Sequence, residues 1–156
     1  MIGRREFGVL GFSAAAAAFS GRALASEDSK KDAHEGHGSD DVMDACAEAC
    51  SDCQRACDSC ASHCGMQLKD GKDEHAVTLA TCLDCADFCA AASRLTARKG
   101  PFAGLICESC AVACDRCAQE CEKFPMDKHM AACAEECRKC EKACKSMLPH
   151  IGHAAG

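Results

Sequence analysis

Residues 45–64 read ACAEACSDCQRACDSCASHC and residues 131–144 read AACAEECRKCEKAC. In the first stretch Cys46, Cys50, Cys53, Cys57, Cys60 and Cys64 step by 4, 3, 4, 3 and 4; in the second Cys133, Cys137, Cys140 and Cys144 step by 4, 3 and 4. The same alternation joins Cys82, Cys85 and Cys89, and again Cys107, Cys110, Cys114, Cys117 and Cys121. Steps of three and four keep a residue on one face of a helix, the face that meets partner helices in a bundle. Cysteine stands where leucine normally would, and the residues between are mostly good helix formers.

Punctuation between the rows supports four helices, expected at about 41–69, 73–98, 101–123 and 126–147. Ser39 or Asp40 is expected to cap the first, and Asp70-Gly71 to end it. Lys99-Gly100-Pro101 ends the second and starts the third, Pro125 starts the fourth and Pro149 closes it. Such short connections make neighbours antiparallel, so the fold expected is an all-α, up-down-up-down four-helix bundle with a cysteine-lined core. At the usual helical rise the row from Cys46 to Cys64 runs about 27 Å.

Composition agrees. The chain has 156 residues with 18 Cys, 6 Phe and neither Trp nor Tyr. Its 48% hydrophobic content is inflated by those cysteines and by alanine. From Ser26 onward only nineteen residues are Leu, Ile, Val, Met or Phe, too few to fill a dense core. Sulfur must fill it, and a pocket lined by aliphatic and aromatic groups is excluded. The net charge is −6; Arg4, Arg5 and Arg22 against Glu6 put +2 on residues 1–25, leaving −8 on the rest. An acidic body without a basic patch argues against nucleic-acid partners and anionic membrane surfaces.

Residues 1–25 have the layout of an export signal: Arg4-Arg5-Glu6-Phe7, an apolar stretch from Val9 to Phe19, and Ala23-Leu24-Ala25 as the cleavage site. The Arg-Arg-x-Phe segment resembles a twin-arginine signal, so a periplasmic protein exported already folded is expected. Residues 26–40 read as a disordered polar leader, 41–148 as the bundle and 149–156 as a tail.

Continuing the cysteine register outward reaches Met43 before Cys46 and Met147 after Cys144, which antiparallel packing puts at one end of the tube. At the other end it reaches His75, Met126, Met130 and Phe124. Met43, Met130, Met147 and His75 are candidate gate ligands, because thioethers suit a soft cation, with plugging of the core ends as the plainer role. His63, Met66 and His129 fall one residue off register and read as rim groups; His150 and His153 belong to the tail.

Three uses of the thiols compete. A disulfide-stapled helical interaction module suits an exported chain with an even cysteine count, but most bridges would have to join helix axes roughly 8–10 Å apart. A zinc site wants four ligands from compact knuckles, and C-x2-C here is always embedded in a longer row. Four thiolates on a divalent ion also leave a net −2, costly when repeated in one narrow core. Cu(I) is soft and monovalent, accepts two or three sulfurs, and with bridging thiolates gives a neutral core of about one ion per thiolate. Multiple Cu(I) ions fit best, and another soft metal is the neighbouring alternative. No nucleophile–base arrangement or isolated redox dithiol stands out, so the chain is read as no enzyme.

The cysteine rows on four helices, as quoted above, resemble the bacterial copper storage protein family, with the leader resembling its exported branch. That resemblance covers about residues 41–147. It implies high-capacity Cu(I) storage by the eighteen cysteines, Met or His helping at the tube ends, a homotetramer of bundles, and traffic with copper donor and acceptor proteins.

Overall fold

The computed structural model describes residues 37–151, with side chains from Gly38 onward. The segment read as an export signal, most of the leader and residues 152–156 lie outside the described residues. Four helices follow in order: α1 (His37–Lys69), α2 (Ala76–Ala97), α3 (Ala103–Cys121) and α4 (Lys128–Met147). Short 3-10 turns precede α2 (Asp73–His75) and follow α4 (Leu148–His150). Each helix packs on its chain neighbours, and α4 closes the ring on α1, giving the antiparallel bundle expected from the short connections.

Helix ends differ from the sequence expectation in instructive ways. α1 begins at His37, and Ser39 does not cap it: its hydroxyl donates to the His150 carbonyl, 3.2 Å away. The α1 C-terminus closes as expected with Gly71 in the left-handed region (φ 80°); Gly71 N–H donates to Leu68 O (3.0 Å) and Lys72 N–H to Gln67 O (3.1 Å), the paired bonds of a Schellman motif. α2 ends the same way, but Lys99, not Gly100, takes the left-handed position (φ 52°), with Lys99 N–H bonded to Thr96 O and Gly100 N–H to Leu95 O, both at 2.9 Å. A lysine there costs backbone strain; its ammonium lies 2.6 Å from the Asp40 carboxylate on α1. Pro125 does not start α4. Asp127 caps it, accepting from His129 N–H (2.9 Å) and Met130 N–H (3.3 Å), because an aspartate oxygen can satisfy two orphan donors and a proline ring none.

The core inverts the usual distribution of side chains. All eighteen cysteines are buried, none above 2% exposed, together with Met43, Met130, Met147 and alanines such as Ala92, Ala103 and Ala118. No Leu, Ile, Val or Phe among the described residues is buried to that degree, while Val77, Leu83, Phe88, Leu105 and Val112 are exposed. Cysteine packs as a small hydrophobe. Charged pairs stitch the outside: Arg138 on α4 meets Asp115 and Glu122 of the α3 side as well as Glu141 of its own helix.

Candidate metal centre

From the turn before α2 and along that helix the buried row runs His75, Thr78, Cys82, Cys85, Cys89, Ala92 and Thr96, three or four residues apart throughout, so thiols occupy only its middle. The other three helices carry sulfur along nearly their whole inward stripe, from Met43 to Cys64 on α1, Cys107 to Cys121 on α3 and Met130 to Met147 on α4. Four rows facing one axis bring the sulfurs into a single column.

The column is unbroken. From one end, Cys46 Sγ lies 3.8 Å from Cys144, which lies 3.6 Å from Cys50, and Cys50 is 3.6 Å from Cys140. Cys140 is 4.0 Å from Cys89, Cys89 3.6 Å from Cys114, and Cys114 3.8 Å from Cys53. Cys53 is 3.9 Å from Cys57, Cys57 3.9 Å from Cys117, Cys117 3.7 Å from Cys82 and Cys82 4.0 Å from Cys121. Cys121 is 3.9 Å from Cys60, which lies 3.4 Å from Met130 Sδ, itself 3.8 Å from Cys64. Cys85, Cys107, Cys110 and Cys137 join from the side at 3.6–3.9 Å. Every cysteine is a free thiol; these separations are nearly twice an S–S bond, so the disulfide-stapled reading is not the state described.

Thiols also form quartets whose sulfurs all lie within 4.8 Å of one another: Cys50, Cys110, Cys140, Cys144; Cys53, Cys85, Cys89, Cys114; Cys53, Cys57, Cys85, Cys137; Cys57, Cys117, Cys133, Cys137; and Cys60, Cys82, Cys121, Cys133. From the second quartet on, each shares at least one member with the next. Isolated tetrahedral sites cannot share thiolates without bridging, so the array favours an ion that tolerates bridging sulfur and low coordination number.

Contacts between thiols split their acidities. Cys117, together with Cys60 and Cys82, holds Cys121 down at about 5, and Cys114 is the main group holding Cys110 down at about 2. Cys137 and Cys114 are pushed far up, each by four surrounding thiols and then by burial. A buried sulfur that receives S–H donors keeps its charge, and one that donates cannot afford to lose its proton. Loading a soft cation replaces those protons.

The two ends of the column differ. At one, Met43 and Leu148 border a groove with Gly104 and Ile151, and a Cβ on Gly104 would stand 3.2 Å from Ile151 Cδ1, so a larger residue there would make that side chain shift by a few tenths of an ångström. Thr96 Oγ1 lies 3.3 Å from Cys107 Sγ at this end. At the other end Met130 contacts two thiols, and His75 is 4% exposed, stacked on Phe124 at 4.2 Å, with its Nδ1 unpartnered. Thr78 Oγ1 is also buried without a partner. Met126, in register by sequence, is 93% exposed, because it precedes the Asp127 cap and lies outside the helix.

His63 and His129, read as rim groups, are gathered beside His75. Their rings stack at 4.7 Å, His63 Nε2 is 2.8 Å from Asp127 Oδ2, and His129 Nε2 is 3.3 Å from Ser59 Oγ. Sequence reasoning passed over this cluster because each imidazole is one position off the core stripe; the available signal was that both adjoin the last in-register sulfurs, Cys64 and Met130.

A family profile described as "Copper storage protein" matches residues 39–149. An uncharacterized cysteine-rich protein of Bacillus subtilis, YhjQ, is 39% identical over 108 residues, 67% of this chain and 94% of its own. A cytosolic copper storage protein from Streptomyces lividans, solved with five coppers, is 31% identical with a TM-score of 0.68, over 75% of this chain and all of that one. The Cu(I)-bound copper storage protein BsCsp3 is 35% identical with a TM-score of 0.63, over 69% of this chain and 98% of its own. The first comparison of structures corrects the periplasmic location expected from residues 1–25. The similar Streptomyces lividans protein is cytosolic.

Proposed function

The chain belongs to the copper storage protein family, and on that premise we propose which side chains hold the metal and by which end it passes. The protein stores Cu(I), many ions per chain, in its cysteine-lined core. The proposed ligands are the eighteen cysteines. The observation that carries this is the continuous sulfur path from Cys46 to Cys64, with no step longer than 4.0 Å. Adjacent sulfurs at that spacing can share one two-coordinate Cu(I), and each thiolate can bridge two ions. Positive ions then match negative thiolates along the core, and the acidic exterior has nothing to neutralise.

Of the four gate candidates, Met130 and His75 are the ones we assign to traffic. Met130 Sδ touches Cys60 and Cys64, a neutral donor beside two thiolates. His75 Nδ1 is buried without a partner, and such a group is costly unless a ligand uses it. Met43, which borders a groove with Leu148 and Ile151, and the fully buried Met147 serve as terminal ligands or plugs.

Nothing in this arrangement asks for a turnover chemistry, and a non-enzymatic role is the reading adopted. Copper donor and acceptor proteins would meet the Met130 end. A homo-oligomer, a tetramer on the family pattern, is supported by Val77, Leu83 and Phe88 on α2 and by Leu105 and Val112 on α3, all exposed. Large apolar groups left outside a small domain mark a contact surface. Phe88→Glu with Val112→Glu is expected to lower the mass measured by light scattering; an unchanged mass would remove that surface from the assembly.

The decisive experiment is an anaerobic Cu(I) titration of the reduced protein against a chromophoric chelator. An endpoint near one ion per cysteine is expected, with proton release in step. An endpoint of one to four ions would replace the continuous column with a few discrete sites.

A further inference from the structure

Sulfur lines three of the inward stripes along nearly their whole length, but α2 places a threonine on either side of its thiols. Thr78 and Thr96 are both fully buried, at 0% exposure, and their hydroxyls behave unlike those nearer the surface. Thr81 Oγ1 donates to Val77 O (2.8 Å) and Ser109 Oγ to Leu105 O (3.1 Å), the back-bond to the preceding turn by which a helical hydroxyl satisfies itself. Thr96 Oγ1 instead lies 3.3 Å from Cys107 Sγ, and Thr78 Oγ1 has no partner. A buried hydroxyl that forgoes the back-bond is costly unless something else uses it.

Position gives the use. Cys107 is the first thiol of α3, and its Sγ is 3.9 Å from that of Cys46, where the column begins. Thr78 stands one turn before Cys82, the first thiol of α2, whose Sγ is 4.0 Å from Cys121, the last of α3. The two threonines therefore mark where sulfur stops on the α2 side. Inside a loaded column each thiolate bridges two Cu(I) and its charge is matched. A thiolate at the end meets one ion only, and the charge left over in a dry core is unfavourable without a hydrogen-bond donor. In the metal-free protein either Thr96 Oγ1 or Cys107 Sγ can donate in their bond. Once copper has taken the place of the thiol proton, only the hydroxyl can. Donation to a charged acceptor is the stronger kind, so the bond gains strength on loading. We propose that Thr96 and Thr78 are positioning residues that end the copper column. Each hydroxyl donates to a terminal thiolate, Cys107 for Thr96 and Cys82 or Cys121 for Thr78, and so sets how tightly the outermost ions are held. This rests on the Cu(I)-storage reading of the same core.

The test withdraws Cu(I) from the loaded full chain under anaerobic conditions with rising concentrations of a chromophoric chelator, and melts the metal-free protein alongside. Thr96→Val removes the hydroxyl and keeps the shape, and the affinity for the outermost ions should fall about tenfold. Thr96→Ser, which keeps the donor, should restore it. Thr78→Val should raise the melting temperature of the metal-free protein, because it deletes an orphaned buried hydroxyl, yet weaken the outermost ions by a similar factor; Thr78→Ser should do neither. Opposite signs in the two states are what a packing role cannot give. Equal affinities in Thr96→Val and the unaltered protein overturn the Thr96 assignment, and so does equal weakening in Thr96→Ser, which would place the effect in the methyl group. A Thr78→Val protein that is stabilised without metal but holds copper as tightly as before overturns the Thr78 assignment. Saturation of the unaltered protein at one to four ions would instead overturn the storage reading, and it is read before any variant is compared.

Discussion

The two ends of the sulfur column are built from the same kind of register residue and set it in different surroundings. Both continue the cysteine stripe with methionine, but Met43 lines a groove with Gly104, Leu148 and Ile151, and Met147 is fully buried. Met130 instead adjoins a cluster of three imidazoles and a carboxylate. Burial alone does not tell a plug from a ligand. What surrounds the thioether differs: the Leu148–Ile151 turn at one end, imidazole rings and a carboxylate at the other.

The contrast can be broken at four points. Met147 is fully buried, so Met147→Ala should cost about 2–5 kcal/mol in chemical denaturation of the metal-free protein while leaving the Cu(I) uptake rate unchanged; slower uptake would make both ends working mouths. Met130→Leu keeps volume and costs under about 1.5 kcal/mol, yet should slow uptake followed by stopped-flow by about tenfold. An unchanged rate would reduce Met130 to a plug. Asp127→Ala removes the α4 cap and the brace of His63, a loss of about 1 kcal/mol at neutral pH.

That last effect has a definite pH dependence. Burial works against the Asp127 carboxylate, but His63 and the backbone N–H groups of Met130 and His129 outweigh it and hold the group below the usual carboxylate range. A folded-state value below the unfolded one gives stability that is complete above about pH 4 and fades as pH falls through and below it. The melting-temperature gap between the protein and Asp127→Asn should therefore narrow in acid; a gap constant down to pH 3 would contradict it. The smallest effect belongs to the Met43 end: Ser39→Ala removes one exposed bond to the His150 carbonyl and should cost about 0.5 kcal/mol. Accelerated uptake in that variant would mean that this bond restricts entry at the Met43 end.

Much of this was legible from spacing. Cysteines three and four apart name the inward face of each helix without any knowledge of the partner helices, and all eighteen are buried as that face demands. In-register extension also found Met43, Met147, Met130 and His75, every one of them buried. It failed for Met126, since register says nothing once the helix has not yet begun. It failed for His63 and His129, whose meeting depends on how α1 and the start of α4 lie side by side. The caps were read one or two residues away from their places, because Ser39, Pro125 and Asp127 are all acceptable signals locally and the packed chain chooses among them.

The sequence by itself determined that sulfur would fill the core, that four helices would carry it, and that a soft monovalent ion would suit it. All three follow from residue type and a period of three to four, which are local properties. Only the tertiary structure decided that the rows merge into one path, that quartets share thiols, and that nitrogen donors gather at the Met130 end. Those depend on the relative height and rotation of packed helices, which is a property of side chains meeting across an axis and is written in no single stretch of chain.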